Sequence, residues 1–446
     1  MQSVRTPASE EGASPERLPA EPALDPRNFW AWVAYQFFYR IGWQFKMEST
    51  LMAGVVTYLT GSPTVMGIFT TCNNVGRNLS PLVAAPVVDR FRQKRGALLF
   101  FWGGAVVSWI GLTLYLWLPS ARNQKTALWV FGACYTLFFL LLGASSVAQG
   151  ALLGKVIPAG HRGRAMAVGM GLSGAINVFA ILLVYWAVQS KGFPEPLNYA
   201  LSFTLTSGLF VAAGLSLLWI REEPSEPAAR SFSVSKNLRH FVKLGRANSN
   251  LARLMVVNIA VGIGGSMLQF YTAYWRESGS VSVAALPQAL LLATVLQVFW
   301  QSLSSNVMGR AADRRGNRKI ICGLLWIEAV VPIAALVLGG MAPFRGHWAW
   351  YLGVYVLIGA RFPVYQLLVN YLLEVVPQHD HAMALGAVNA VQLVTAPAPL
   401  LLGGIAQLWG FEAAFVIGSA VLCVGAVTAL GLEEVRIRPI DGVSTG

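Results

Sequence analysis

Gly309-Arg310-Ala311-Ala312-Asp313-Arg314-Arg315-Gly316-Asn317-Arg318-Lys319 is a charged stretch set between two long apolar runs. A weaker copy, Ala85-Pro86-Val87-Val88-Asp89-Arg90-Phe91-Arg92-Gln93-Lys94-Arg95, keeps the Asp, the Arg after it and the final basic pair. It too lies between apolar runs, and Asp89 stands about half a chain length before Asp313. A motif repeated once, at that distance and in the same setting, is the mark of a chain built as two copies of one plan.

The flanking runs decide what the plan is. A bilayer core takes about 20 helical residues to cross, and runs of that length recur near 29-59, 63-88, 97-118, 127-153, 165-189, 199-220, 251-275, 284-309, 319-341, 348-376, 382-408 and 412-432, numbered spans 1 to 12. Of the 446 residues 55% are hydrophobic and 12% charged, against about a quarter charged in soluble domains. The expected fold class is therefore all-α integral membrane, with twelve transmembrane helices as two pseudo-symmetric sets of six. The longest polar interruption sets the division: a disordered cytoplasmic tail over 1-28, an N-terminal bundle over 29-220, a cytoplasmic linker over 221-250, a C-terminal bundle over 251-432 and a tail over 433-446. The N-terminal tail, rich in Pro, Glu and Ala, shows no short apolar core behind basic residues, so no cleaved signal is expected.

The net charge of +13 raises the question of a nucleic-acid partner, and the placement of the 33 Lys and Arg answers it. Twenty-four lie in the tails, in the loops on the same side as the tails or, for Arg253 and Lys319, at the adjoining ends of spans 7 and 9. The opposite loops hold five, Arg122, Lys125, Lys191, Arg276 and Arg345, and the spans hold Arg40, Lys46, Arg77 and Arg361. Basic loops stay in the cytoplasm, so the charge reports orientation, with both termini inside, and no nucleic acid is expected. Cys72, Cys134, Cys322 and Cys423 fall within spans without metal-ligand spacing, so neither metal nor disulfide is expected.

Carried back along spans 2 and 8, the offset between Asp89 and Asp313 pairs Thr70, Asn73, Arg77 and Ser80 with Thr294, Gln297, Gln301 and Ser304. Each set keeps three- and four-residue spacing, which is one helix face. Span 1 adds Gln36, Arg40, Gln44 and Glu48 at four-residue steps, and places Lys46 about 140° away at 100° per residue. Ionised groups at bilayer depth cost at least about 2.5 to 3.5 kcal/mol and face a cavity or a partner. The candidate substrate residues are accordingly Arg77, Asn73, Arg40, Gln44, Glu48, Gln269, Gln297, Gln301, Arg361 and Gln392, with an Arg77-Glu48 ion pair as the structural alternative for Arg77. Amides such as Asn258, Gln269, Gln366, Asn370, Asn389 and Gln392 serve equally as links between helices. Asn258, Gly262, Gly265 and Gln269 share one face, where small residues permit close packing. Glu328 is a second intramembrane acid. The aromatic residues that crowd span 1 read as an interfacial belt near its start.

A second repeat lies at the ends of spans 4 and 10, where Pro158 followed by Arg164-Ala165-Met166-Ala167-Val168-Gly169 matches Pro377 followed by His381-Ala382-Met383-Ala384-Leu385-Gly386. Together with the Gly309–Lys319 stretch, which resembles the signature loop G-x-x-x-D-R-x-G-x-R-K, it makes the chain resemble the major facilitator superfamily of secondary transporters. The resemblance implies two bundles, a substrate site between them near mid-membrane, and alternating access. It also implies that Arg77 attracts an anionic group, as arginines in the organophosphate and nitrate branches do. For the cytoplasmic gate it points to Asp89, Arg90, Lys155, Gly309, Asp313, Arg314, Arg318 and Glu374. Glu374 is placed to meet Arg314 or Arg318, and Asp89 to accept from Lys155 or Arg164. Ala85 and Arg92 stand where the signature has glycines.

The expected function is secondary transport of a small polar or anionic organic solute, with Glu48 as the candidate for proton coupling. The partners are then the solute, H+ and the lipid bilayer; no cofactor is needed, and a monomer in the plasma membrane is expected. The alternative is a drug or lipid exporter of the same fold. Span 5 lacks the Gly-Pro pair of the G-P-x-x-G-G-like exporter motif, having Gly169, Gly171 and Gly174 instead. A channel fits the duplicated halves less well. An enzyme is not expected, because no H-E-x-x-H, G-x-S-x-G or phosphate-binding glycine loop is present.

Overall fold

The structure, a computed structural model, describes residues 24–158, scattered positions between 161 and 182, then 193–224, 248–282, 284–341, 347–376, 388 and 391–434. The repeat at Pro377–Gly386, Asn389, residues 1–23 and residues 435–446 lie outside the described residues. The described residues form helices and connecting turns, without strands. These are α1 Pro26–Gln44, α2 Ala53–Leu59, α3 Pro63–Arg90, α4 Lys94–Trp117, α5 Gln124–Val156, α6 Leu197–Leu217, α7 Ser249–Ser266, α8 Leu268–Glu277, α9 Leu286–Arg315, α10 Asn317–Gly340, α11 Leu352–Arg361, α12 Val364–Val375 and α13 Ala398–Leu430.

Local chemistry starts these helices where the backbone lacks partners. Asp25 accepts from Arg27 N at 2.8 Å ahead of Pro26, and Ser62 accepts from Val65 N ahead of Pro63. Asn248 accepts from the amides of Asn250 and Leu251. Side-chain acceptors at this position satisfy orphan N–H groups, and proline tolerates the first turn because its missing donor is unused there. Eight described stretches are long and apolar enough to cross a membrane. Spans 1 and 2, which carry Arg40, Lys46, Glu48 and Arg77, are not among them; span 5 lies mostly outside the described residues; and spans 11 and 12 run together through Gly410, whose φ is 84°.

Equivalent spans pack in equivalent pairs. Span 2 packs on span 4 and span 8 on span 10; span 3 on span 6 and span 9 on span 12. Tyr39 stacks on Phe210 between spans 1 and 6, and Tyr271 on Phe415 between spans 7 and 12. In a membrane such contacts rest on close packing and interhelical hydrogen bonds, since lipid is as apolar as the helices. Glycines admit that approach: a Cβ on Gly143 would collide with the Gly76 carbonyl, and one on Gly359 with that of Gln297.

The two signature loops are built differently. In the C-terminal half α9 runs to Arg315 and a single residue, Gly316 at φ 86°, turns the chain into α10. In the N-terminal half α3 stops at Arg90, and Phe91, Arg92 and Gln93 make an extended connection with no positive φ. Arg92 stands in for glycine because its loop never asks for a glycine conformation. At Gly309 a Cβ would meet nothing within 4 Å of the described residues, so no close helix approach depends on it here.

The halves meet at one end. Call the tail end that of residues 24, 224, 248 and 434. Hydrogen bonds between the halves lie away from it: Ser49 to Gln297 Oε1 at 2.6 Å, Gln297 to Met47 Sδ at 3.6 Å, Thr50 with Thr294, Thr272 to the Ser49 carbonyl at 2.7 Å, Thr64 to the Gly403 carbonyl at 3.4 Å, and Ser62 to Gln407 at 2.9 Å. Glycines close the same end, since a Cβ on Gly67 would collide with the Pro399 carbonyl and one on Gly403 with that of Pro63.

Candidate substrate site

The site begins where span 1 stops being an α-helix. After Gln44 the chain leaves helical hydrogen bonding, then runs through a π-helical turn, Glu48–Met52, into α2. Backbone groups freed inside a membrane need partners, and they find them: Ser202 donates to the Phe45 carbonyl at 2.7 Å and Thr272 to that of Ser49 at 2.7 Å. The break also turns Lys46 toward Glu48, two side chains that a continuous helix would hold on different faces. Lys46 Nζ donates to Glu48 Oε1 at 2.5 Å, is 0% exposed and lies 3.9 Å from the Trp43 ring centroid. Trp109, Phe138 and Phe139 complete the aromatic box. Glu48 therefore serves Lys46 rather than Arg77, and Lys46 belongs to the site rather than to a separate face.

From Glu48 the network continues into spans 4 and 2. Tyr135 donates to Glu48 Oε2 at 2.6 Å, and Asn73 Nδ2 donates to the Tyr135 oxygen at 3.3 Å. Gln269 reaches the same phenol from span 7. One turn further along α3, toward the tail end, Arg77 is exposed and lies over the Trp43 ring at 5.9 Å. Among the described residues no carboxylate lies within ion-pair distance of Arg77 or Arg40. Polar atoms left without a partner gather nearby: Arg40 Nε, Gln44 Oε1, Asn73 Oδ1, Gln269 Oε1 and Gln301 Oε1.

The C-terminal half neutralises its cation. Arg361 Nη1 donates to Glu328 Oε1, both side chains are buried, and Gly264 makes room for that carboxylate, since a Cβ there would collide with it. Arg361 is thus held by span 9, against the expectation that it faces the solute. Gln297 is likewise engaged, accepting from Ser49 and donating to Met47 Sδ, which makes it a strut of the closed end. Gln392 donates to Asn258 Oδ1 at 2.6 Å, a link between spans 11 and 7. Gly262 and Gly265 do admit close neighbours, Thr395 and Tyr365.

At the tail end the gate residues have partners within their own halves. Asp89 lies 3.9 Å from Lys94 Nζ, whereas Lys155 donates to Glu222 Oε1 at 2.8 Å. Glu374 accepts from Asn317 at 2.8 Å, and Arg318 donates to the Leu430 carbonyl. Arg90, Arg314 and the backbone of Asp313 stand at the ends of α3 and α9. Glu222 also accepts from the amides of Lys94 and Arg95 at 2.7 Å, capping α4. Glu434 lies against Gly316, at the start of α10. The acidic residues after spans 6 and 12 thus both lie beside the loop that follows span 2 or span 8.

A profile described as Major Facilitator Superfamily matches residues 36–306. The chain belongs to the major facilitator superfamily. No curated protein matches the sequence of this facilitator. Its fold is shared with solved transporters. A structure of the nucleoside transporter NupG gives a TM-score of 0.63 at 12% identity, covering 91% of this chain and 98% of that one. A POT family transporter in complex with 5-aminolevulinic acid gives 0.64 at 15%, covering 91% and 96%. An auto-inhibited POT family peptide transporter gives 0.63 at 13%, covering 93% and 99%. This facilitator is thus a multi-pass membrane transporter.

Two parts of the facilitator's site were not found from the sequence. Tyr135 is one aromatic among many in span 4, and nothing in its spacing marks it as the hub between Glu48 and Asn73. Glu222 reads as a linker charge, although the doubled acids Glu222-Glu223 and Glu433-Glu434 at matching places would have shown the repeat.

Proposed function

We propose that this facilitator is a secondary transporter of a small polar or anionic organic solute, working by alternating access, with Arg77 as the group that attracts the anion. The observation that carries this is the difference among the intramembrane cations. Lys46 and Arg361 each have a carboxylate, whereas Arg77 is exposed at mid-span with none among the described residues. A fixed charge in a cavity walled by apolar helices acts at a lower effective dielectric than in water, so an anion gains there. Arg40 adds to the same field. Glu48 is the group for proton coupling in this reading: protonating it would loosen Lys46 and raise the positive potential beside Arg77. The basic bias of the tail-side loops supports a cytoplasmic tail end, and the long polar stretch at 221-250 supports the proposed division into two bundles. We place the protein in the plasma membrane as a monomer.

Uptake by purified protein in proteoliposomes, with and without a pH gradient, tests this. Arg77→Gln should lower uptake of an anionic solute at least tenfold in protein that still folds, and Arg77→Lys should restore only part, lacking the planar fork. Unchanged uptake by folded Arg77→Gln would end this reading.

A further inference from the structure

The hydrogen-bond directions around Tyr135 narrow the class of solute. A carboxylate only accepts, so the Tyr135 hydroxyl spends its one hydrogen on Glu48. Its oxygen is then left to accept, and Asn73 must present Nδ2 to it. That choice fixes the amide: Asn73 Oδ1 points away, is buried and has no donor. Gln269, beside the same phenol, likewise leaves Oε1 without a donor, and so does Gln44 on span 1. Asn73 is 5% exposed and Gln269 2%, so bulk water does not serve them as it serves a surface amide. An unpartnered buried acceptor costs roughly 1–3 kcal/mol.

These acceptors and the cation are ordered along the helices. Asn73 is four residues from Arg77 on one face of α3, about 6 Å farther from the tail end at 1.5 Å per residue. Gln44 lies four residues deeper than Arg40 along α1. The site is thus cationic toward the open end and lined by bare acceptors toward the closed end.

We infer that the solute is an organic anion that also carries an O–H or N–H donor, held with its acid at Arg77 and its donor at Asn73, Gln269 and Gln44. Tyr135 is the positioning residue that fixes the Asn73 amide. This inference rests on the reading of Arg77 as the anion site. A plain carboxylate would fill the cationic end and leave the deeper oxygens unpaired, which is how a polar site rejects an analogue that lacks a donor.

Thermal stabilisation of the purified full-length protein, with competition for uptake where transport is seen, separates the possibilities using matched probes: γ-hydroxybutyrate, γ-aminobutyrate, valerate and the neutral γ-hydroxybutyramide. Both donor-bearing acids are expected to bind about 10- to 100-fold more tightly than valerate. Asn73→Leu, and separately Gln269→Leu, should remove most of that preference, bringing the donor-bearing acids toward the affinity of valerate in the same variant. Equal binding of valerate and the donor-bearing acids would overturn the inference and leave the anion reading standing. Preference for the neutral amide, unaffected by Arg77→Gln, would overturn the anion reading. A donor preference that survives both Leu variants would overturn the assignment to these oxygens, and no stabilisation by any probe would overturn the proposed class.

Discussion

Arg361 and Glu328 illustrate what a single intramembrane charge can and cannot reveal. Each stands out in an apolar run, so both are legible as residues needing a reason, but their pairing joins spans 9 and 10 and has no trace in local spacing. The same holds for Tyr135, whose role depends on which hydroxyl, carboxylate and amide the fold brings to it. A buried ion pair is a poor stabiliser against an apolar replacement, yet removing one partner strands the other. Glu328→Ala should therefore lower stability by about 3–5 kcal/mol, seen as a fall in Tm in detergent. Glu328→Met with Arg361→Met should recover most of the loss. Equal loss in the single and double variants would mean that the pair itself holds spans 9 and 10 together.

At the scale of elements, periodicity reads correctly while a helix is continuous and fails where it breaks. The stripes on spans 2 and 8 rest on unbroken α3 and α9 and keep their face, whereas Lys46 leaves its helical position because the chain unwinds between Gln44 and Ala53. The break is stabilised from outside by Ser202 and Thr272. Ser202→Ala and Thr272→Val should each cost about 1–3 kcal/mol by stranding a buried carbonyl, checked as Tm shifts with uptake retained by the residual folded protein. The two signature loops offer a contrast of the same kind. Gly316→Ala should cost about 1–3 kcal/mol or more, because φ 86° with ψ 151° belongs to glycine and a Cβ would also meet Glu434. Arg92→Ala, in the extended loop, should stay within about 0.5 kcal/mol. A comparable loss at Arg92 would show that the N-terminal loop is as constrained as its partner.

For the whole molecule, the all-helical membrane fold and the family were legible because the long apolar runs and the signature loop are written along the chain. Which end is closed was not, because closure depends on glycines whose neighbours lie in the other half. Gly67 packs on Pro399 and Gly403 on Pro63, and with the Ser49–Gln297 and Thr50–Thr294 bonds they hold the far ends of the halves together. With that end shut, the expected route of solvent to Arg77 is from the tail end. In a variant lacking the four native cysteines, Arg77→Cys should react with a membrane-impermeant maleimide added on the tail side and be protected on the other. Adding Gly403→Val puts a branched side chain where a carbonyl already sits, so the far end cannot close as it does here. A penalty of about 1.4 kcal/mol already shifts a two-state equilibrium tenfold, so labelling should move to the far side and fall on the tail side. Labelling from the tail side alone in both proteins would show that the two glycines do not govern which end opens.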